Sequence, residues 1–118
     1  PMELNEVRYN GGMPIDGYGA GFFRIDGAVY HGAQLILPNG RQDWGGYDDP
    51  APLLAAAGLI DVLLIGTGAE IAHIPAKLRA ALEGAGLGVE VMGSPSAARS
   101  YNVLLGEGRR IGAALLPV

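Results

Sequence analysis

The sequence contains no cysteine, which excludes a disulfide framework, a thiol nucleophile and thiolate metal sites, and is compatible with a reducing compartment. It lacks a basic excess as well. Eight Lys and Arg against twelve Asp and Glu leave a formal net charge of -4. A nucleic-acid binder normally carries a basic stripe to neutralise phosphates, so nucleic acid is not an expected partner. The same acidity argues against anionic membrane surfaces. No run approaches the roughly 20 apolar residues that cross a bilayer, and Pro1 to Arg8 is too acidic and mixed for a secretion signal or transit peptide. The cytoplasm is therefore the expected location. The chain has two histidines, His31 and His73, with no H-x-x-x-H pair, so neither a metal nor a cofactor is expected.

Glycine and proline are abundant instead, 20 and 8 residues in a chain of 118. They punctuate apolar segments, so the expectation is many tight turns around one core. That length fits a single α/β domain, since one core typically needs about 100 to 150 residues. Residues 1 to 14 carry few apolar anchors and read as a loosely held lead-in, leaving 15 to 118 as the domain.

Two apolar runs, Gly21 to Ile25 and Ala28 to Leu37, flank Asp26-Gly27, the dipeptide best suited to a type I′ turn, and predict an N-terminal β-hairpin. Pro38-Asn39-Gly40 closes its second strand. Asp48 and Asp49 before Pro50 predict a capped helix from 50 to 57 that stops at Gly58. Asp61 to Ile65 is a continuous apolar run, as in a strand buried on both faces. Pro75 opens a second helix with Leu78, Ala81, Leu82 and Ala85 on its inner face and Lys77, Arg79 and Glu83 in water. Val89 to Met92 predicts a short strand. Ser94-Pro95 reads as cap and first turn of a third helix, whose apolar face is Ala97, Ala98, Tyr101, Leu104 and Leu105. Ile111 to Leu116 is a closing strand. Strands alternating with helices in this way imply a three-layer domain: a central mixed, largely parallel sheet, the hairpin and three helices.

Gly66-Thr67-Gly68 after a buried strand invites comparison with a phosphate-binding glycine loop. However, Ile71 stands where a third glycine is expected, and the next helix waits until Pro75. Tight turning off the sheet is the reading that the residues favour. Arg99, Tyr101 and Asn102 follow the Ser94 cap. If the parallel strands point the same way, the Gly66 to Gly68 loop and this helix start share a crevice beyond the strand ends. There Arg99 could hold a carboxylate or phosphate. The structural alternative is that Arg99 pairs with an acid or caps carbonyls, Tyr101 packs in the core and Asn102 satisfies a buried backbone group. Ser94, Ser96 and Ser100 lack a nucleophile elbow. Gly17 to Gly21 reads as backbone geometry at a sheet edge. Trp44 is either an interface anchor or a seal on one end of the core.

Several segments together resemble a known family: Ile15-Asp16-Gly17-Tyr18-Gly19 leading to Phe22-Phe23-Arg24-Ile25, then Leu64 to Gly68, and Ala98 to Leu105 with Glu107-Gly108-Arg109-Arg110. They are similar to the small bacterial and archaeal domain-of-unknown-function family related to the mitochondrial assembly factor 3 of respiratory complex I. The resemblance implies a three-layer α/β fold with a mixed central sheet, no established enzymatic activity, and action through association with a partner protein. It carries over Gly66, Thr67, Gly68, Arg99, Tyr101 and Asn102. Gly93-Ser94-Pro95 departs from the Asp-Thr-Gly-like stretch that the family sets before the third helix, keeping a hydroxyl but losing an acid. Two functions follow as expectations: a non-enzymatic binding or assembly protein, or an enzyme or sensor for a small anion in the crevice at Gly66 to Gly68 and Arg99. A homodimer is also open, two-fold pairing being the commonest oligomer.

Overall fold

The structure, a computed structural model, describes residues 12–118. Most of the expected lead-in therefore lies outside the described residues. At its end, the carbonyl of Met13 accepts a 3.0 Å hydrogen bond from the Tyr101 hydroxyl.

The Asp26-Gly27 hairpin forms as its dipeptide requires. Strand β2 (Phe22–Ile25) and β3 (Ala28–His31) are joined by two residues with positive φ, Asp26 at 49° and Gly27 at 87°, the pair that a type I′ turn demands. A further strand, β1 (Ile15–Gly19), pairs antiparallel with β2. It completes a three-stranded sheet in the order β1-β2-β3.

The run from 28 to 37 is not one strand. At Gly32, whose φ is 81°, the chain turns out of the first sheet, and β4 (Gln34–Leu37) enters a second. The corner is held by polar contacts. Buried Gln34 donates from Nε2 to the His31 carbonyl at 3.1 Å and to Asp43 Oδ1 at 3.0 Å, and its Oε1 accepts from Arg41 Nε at 3.0 Å. The Arg41 guanidinium lies 3.9 Å from the centre of the Tyr30 ring, a cation–π contact that ties one sheet to the other. Pro38-Asn39 then turns into β5 (Gly40–Asp43).

The second sheet has the order β5-β4-β8-β6-β7, with β6 (Val62–Thr67), β7 (Gly88–Met92) and β8 (Ile111–Leu116). Its neighbours are parallel at β8-β6 and β6-β7 and antiparallel at β5-β4 and β4-β8. The mixed α/β reading holds, with two sheets in place of one.

Both faces of this sheet are covered, which explains why β6 and β8 read as unbroken apolar runs. On one face Leu63, Ile65, Leu35 and Ala114 pack with α1 (Ala51–Ala55) and α2 (Ala76–Gly84) through Leu53, Leu78 and Leu82. On the other, Leu64, Ile36, Ala113 and Leu115 meet α3 (Ser94–Gly106) and the three-stranded sheet through Tyr101, Leu105, Phe23 and Ile25.

Two local expectations change. No side chain caps α1. The Asp49 carboxylate instead accepts the Gly45 N–H at 3.1 Å, and the Asp49 carbonyl accepts Trp44 Nε1 at 3.1 Å, because a buried indole N–H needs an acceptor. Trp44 thus seals the core. On α2, Ala81 and Ala85 are exposed despite their helical spacing, since Leu78 and Leu82 suffice to fill the contact. Arg79 and Glu83 form an exposed i,i+4 pair at 3.3 Å.

Candidate functional site

Gly66 and Thr67 belong to β6 itself, and the chain leaves the strand at Gly68, whose φ is 102°. Directly above lies the start of α3. Its N-cap is Gly93, with no side-chain cap bond, so Ser94 is the first helical residue and does not cap. The fully buried Ser94 points into the sheet. Its hydroxyl donates to the Leu116 carbonyl at 2.6 Å and accepts the Gly68 N–H at 2.9 Å, while the Ser94 N–H reaches the Gly68 carbonyl at 2.7 Å. The lone pair that a cap would offer to the helix's free N–H groups goes to the Gly68 N–H instead.

This junction explains both glycines. A Cβ at Gly66 would sit 2.6 Å from Ser94 Oγ, 2.8 Å from Leu115 Cδ2 and 2.9 Å from Ser94 Cα. Gly66→Ala is expected to lose about 1–3 kcal/mol, the usual range for overpacking a tight core, measured by urea denaturation. A loss below 0.5 kcal/mol would contradict the close approach. Thr67 Oγ1 donates to the Glu70 carbonyl at 2.6 Å and accepts the Ala72 N–H at 3.1 Å, pinning the loop that follows. The Gly68 N–H and the Thr67 and Ser94 hydroxyls are therefore bonded within the chain.

Arg99, Tyr101 and Asn102 share a helix but not a direction, since each residue turns the helix by about 100°. Tyr101 is fully buried in the core, and burial pushes its phenol above the ordinary tyrosine range. Asn102 faces β1: its Oδ1 accepts the Ile15 N–H at 2.9 Å and its Nδ2 donates to the Ile15 carbonyl at 2.7 Å. Exposed Arg99 contacts Ser96 Oγ at 3.3 Å. It is the member of the trio that reaches a groove, one of about 300 Å³ lined also by Leu64, Glu90, Met92, Val103 and Leu104. Gly66, Thr67 and Gly68 do not line that groove. The structure joins Gly66, Gly68 and Ser94 at one junction and places Arg99 elsewhere.

The groove adjoins β7, whose other face borders a second groove of about 380 Å³ lined by Ile71, His73, Ile74, Arg79 and Val91. Two of the most exposed large apolar side chains, Ile71 at 69% and Val103 at 59%, flank these grooves. The sequence carried one signal for them, apolar residues at positions whose helical or loop context leaves them in water. A third hollow lies between α1 and α2, lined by Tyr47, Leu54, Pro75, Lys77 and Leu78. Among the described residues no three His, Asp or Glu side chains converge as a metal ion would require. No described helix is long and apolar enough to cross a membrane.

The layering and strand order define an Mth938-like α/β domain. The solution NMR structure of a Bordetella pertussis protein described as an Mth938-like domain matches with a TM-score of 0.78 at 28% identity, over 98% of this chain and 92% of that one. Residues 15–116 match the family described as protein of unknown function (DUF498/DUF598), and the chain belongs to that family. It is 55% identical to an uncharacterized protein of Rhodobacter capsulatus, across 99% of this chain and 94% of that protein. It is also 30% identical to human NADH dehydrogenase (ubiquinone) 1 alpha subcomplex assembly factor 3, across 89% of this chain but 61% of the human protein. The family read from the sequence is the one found.

Proposed function

We propose that this chain is a non-enzymatic, cytoplasmic assembly factor that acts by protein–protein association while a multisubunit NADH dehydrogenase is built. Its likeness to the human assembly factor over 89% of the chain carries the reading. The exposed apolar residues beside β7 support it, because side chains such as Ile71 and Val103 gain most from burial against a partner. The rival small-anion reading loses ground on geometry. An anion beside Arg99 would share its groove with the Glu90 carboxylate, and the Gly68 N–H and Ser94 hydroxyl are already bonded.

The test is native electrophoresis with in-gel NADH dehydrogenase activity, run on cells deleted for the chain's own gene. The expected result is loss of the assembled enzyme, accumulation of subassemblies and recovery when the gene is returned. Normal amounts of assembled enzyme in the deleted cells would overturn the proposal.

A further inference from the structure

We propose that the free edge of β7 is a strand-docking site that takes an extended segment of a partner protein, apolar at alternating positions and basic where it faces Glu90. This inference rests on the protein-association reading above and names its contact. Among the described residues β7 pairs with β6 on one side and with nothing on the other. An unpaired edge offers a row of N–H and C=O groups that another chain can join.

Two of the other edges, those of β1 and β5, are guarded, and the third, β3, belongs to the separate three-stranded sheet. On β1, both main-chain groups of Ile15 are taken by the Asn102 amide. On β5, the four polar residues Gly40-Arg41-Gln42-Asp43 carry a 3.0 Å ion pair, and charge on a short edge discourages pairing. Strand β7 is blocked less: its charge, Glu90, lies outside the ion pairs found among the described residues, and a side chain, Thr67 Oγ1, reaches the carbonyl of its last residue, Met92, at 3.3 Å. The strand has a groove against each face, and strand addition uses that arrangement: main-chain bonds supply affinity and alternate side chains fill pockets on opposite faces. Val91 lies in one groove, Glu90 and Met92 in the other. The site is bounded at the end of the strand, where the backbone at Glu70 and Ile71 closes on Gly93.

Charge selects the occupant. Glu90 is the charged residue of the strand, is exposed, and takes no part in the ion pairs found among the described residues. An incoming lysine or arginine opposite it completes a cross-strand pair. A second copy of this chain fits less well. Two-fold antiparallel pairing centred on β7 sets Glu90 against Glu90, between molecules that each carry a net charge of -4.

The probe is a synthetic nine-residue peptide, blocked at both ends, with a central lysine and, on each side of it, valines alternating with threonines. It is titrated into the full, isotope-labelled chain and followed by amide NMR. The expected result is saturable binding with shifts confined to residues 88–92 and the groove walls. Methylating every peptide nitrogen should weaken binding about tenfold or more by removing the main-chain donors. Exchanging the central lysine for glutamate should weaken it about two- to fivefold, and E90K, at an exposed position, should invert that preference. Absence of saturable binding, or binding indifferent to methylation, would overturn the proposal. So would shifts in β7 that grow with protein concentration without peptide, which would assign the edge to a second copy. The two proposals fail separately. Lost peptide binding with an intact deletion phenotype removes the docking mode alone, and peptide binding at β7 in a protein whose deletion leaves assembly normal removes the assembly role alone.

Discussion

Truncating Tyr101 to alanine is expected to lower the unfolding free energy by about 3–5 kcal/mol, the range for emptying a buried aromatic site. The side chain is fully buried among Phe23, Ile25, Ile36, Leu64 and Leu115, where sheet, sheet and helix meet, so no single neighbour can collapse into the space. Tyr101→Phe keeps the ring and loses the 3.0 Å bond to the Met13 carbonyl, at about 1 kcal/mol. Urea melts of both variants separate cavity from hydrogen bond, and equal losses would show that the ring is not what fills the core. The same residue sets an alkaline limit. Burial raises the folded phenol above the ordinary value of 10.0, so its contribution is fully present below that pH. It is lost as pH rises further, because the unfolded chain gives up its proton first. Tyr101→Phe should flatten that decline.

Ser94→Ala is expected to cost about 2–4 kcal/mol, because it orphans two main-chain groups, each worth about 1–3 kcal/mol when left buried without a partner. Those groups are the Gly68 N–H and the Leu116 carbonyl. The variant also widens the space above Gly66, so Gly66→Ala should be less harmful in its presence than alone. A double-mutant cycle from the same melts checks this, and strictly additive losses would disprove the contact between the two positions.

Much of the fold was legible because local chemistry and tertiary structure agree. Asp26-Gly27 turns as its φ angles require, Ile111 to Leu116 is a strand from end to end, and Ala97, Ala98, Tyr101 and Leu105 face inward on α3. What escaped depended on partners distant in sequence. Strand β1 was hidden because Gly17 and Gly19 look like loop residues, although the Phe22 ring lies where a Gly19 side chain would be. The division of 28 to 37 between two sheets needed the buried Gln34 contacts, which no periodicity announces. In the candidate site the residue types were legible but not their directions. Ser94 looks like a cap until β8 is set beneath it. Arg99 and Tyr101 look like neighbours until the helix turns one to water and the other into the core.

Strand β8 follows the other four strands of its sheet in sequence, yet it lies in the middle of that sheet, joining β4 to β6. The antiparallel and parallel halves therefore have no hydrogen-bonded connection until residues 111–116 have been synthesised and have cleared the ribosome. Until then the apolar strands β4 and β6 are both made and both short of a neighbour, which exposes the nascent chain to aggregation. Folding must be completed after translation has delivered that segment, and a nascent chain halted before residue 111 holds two incomplete sheet fragments instead of a smaller version of the domain.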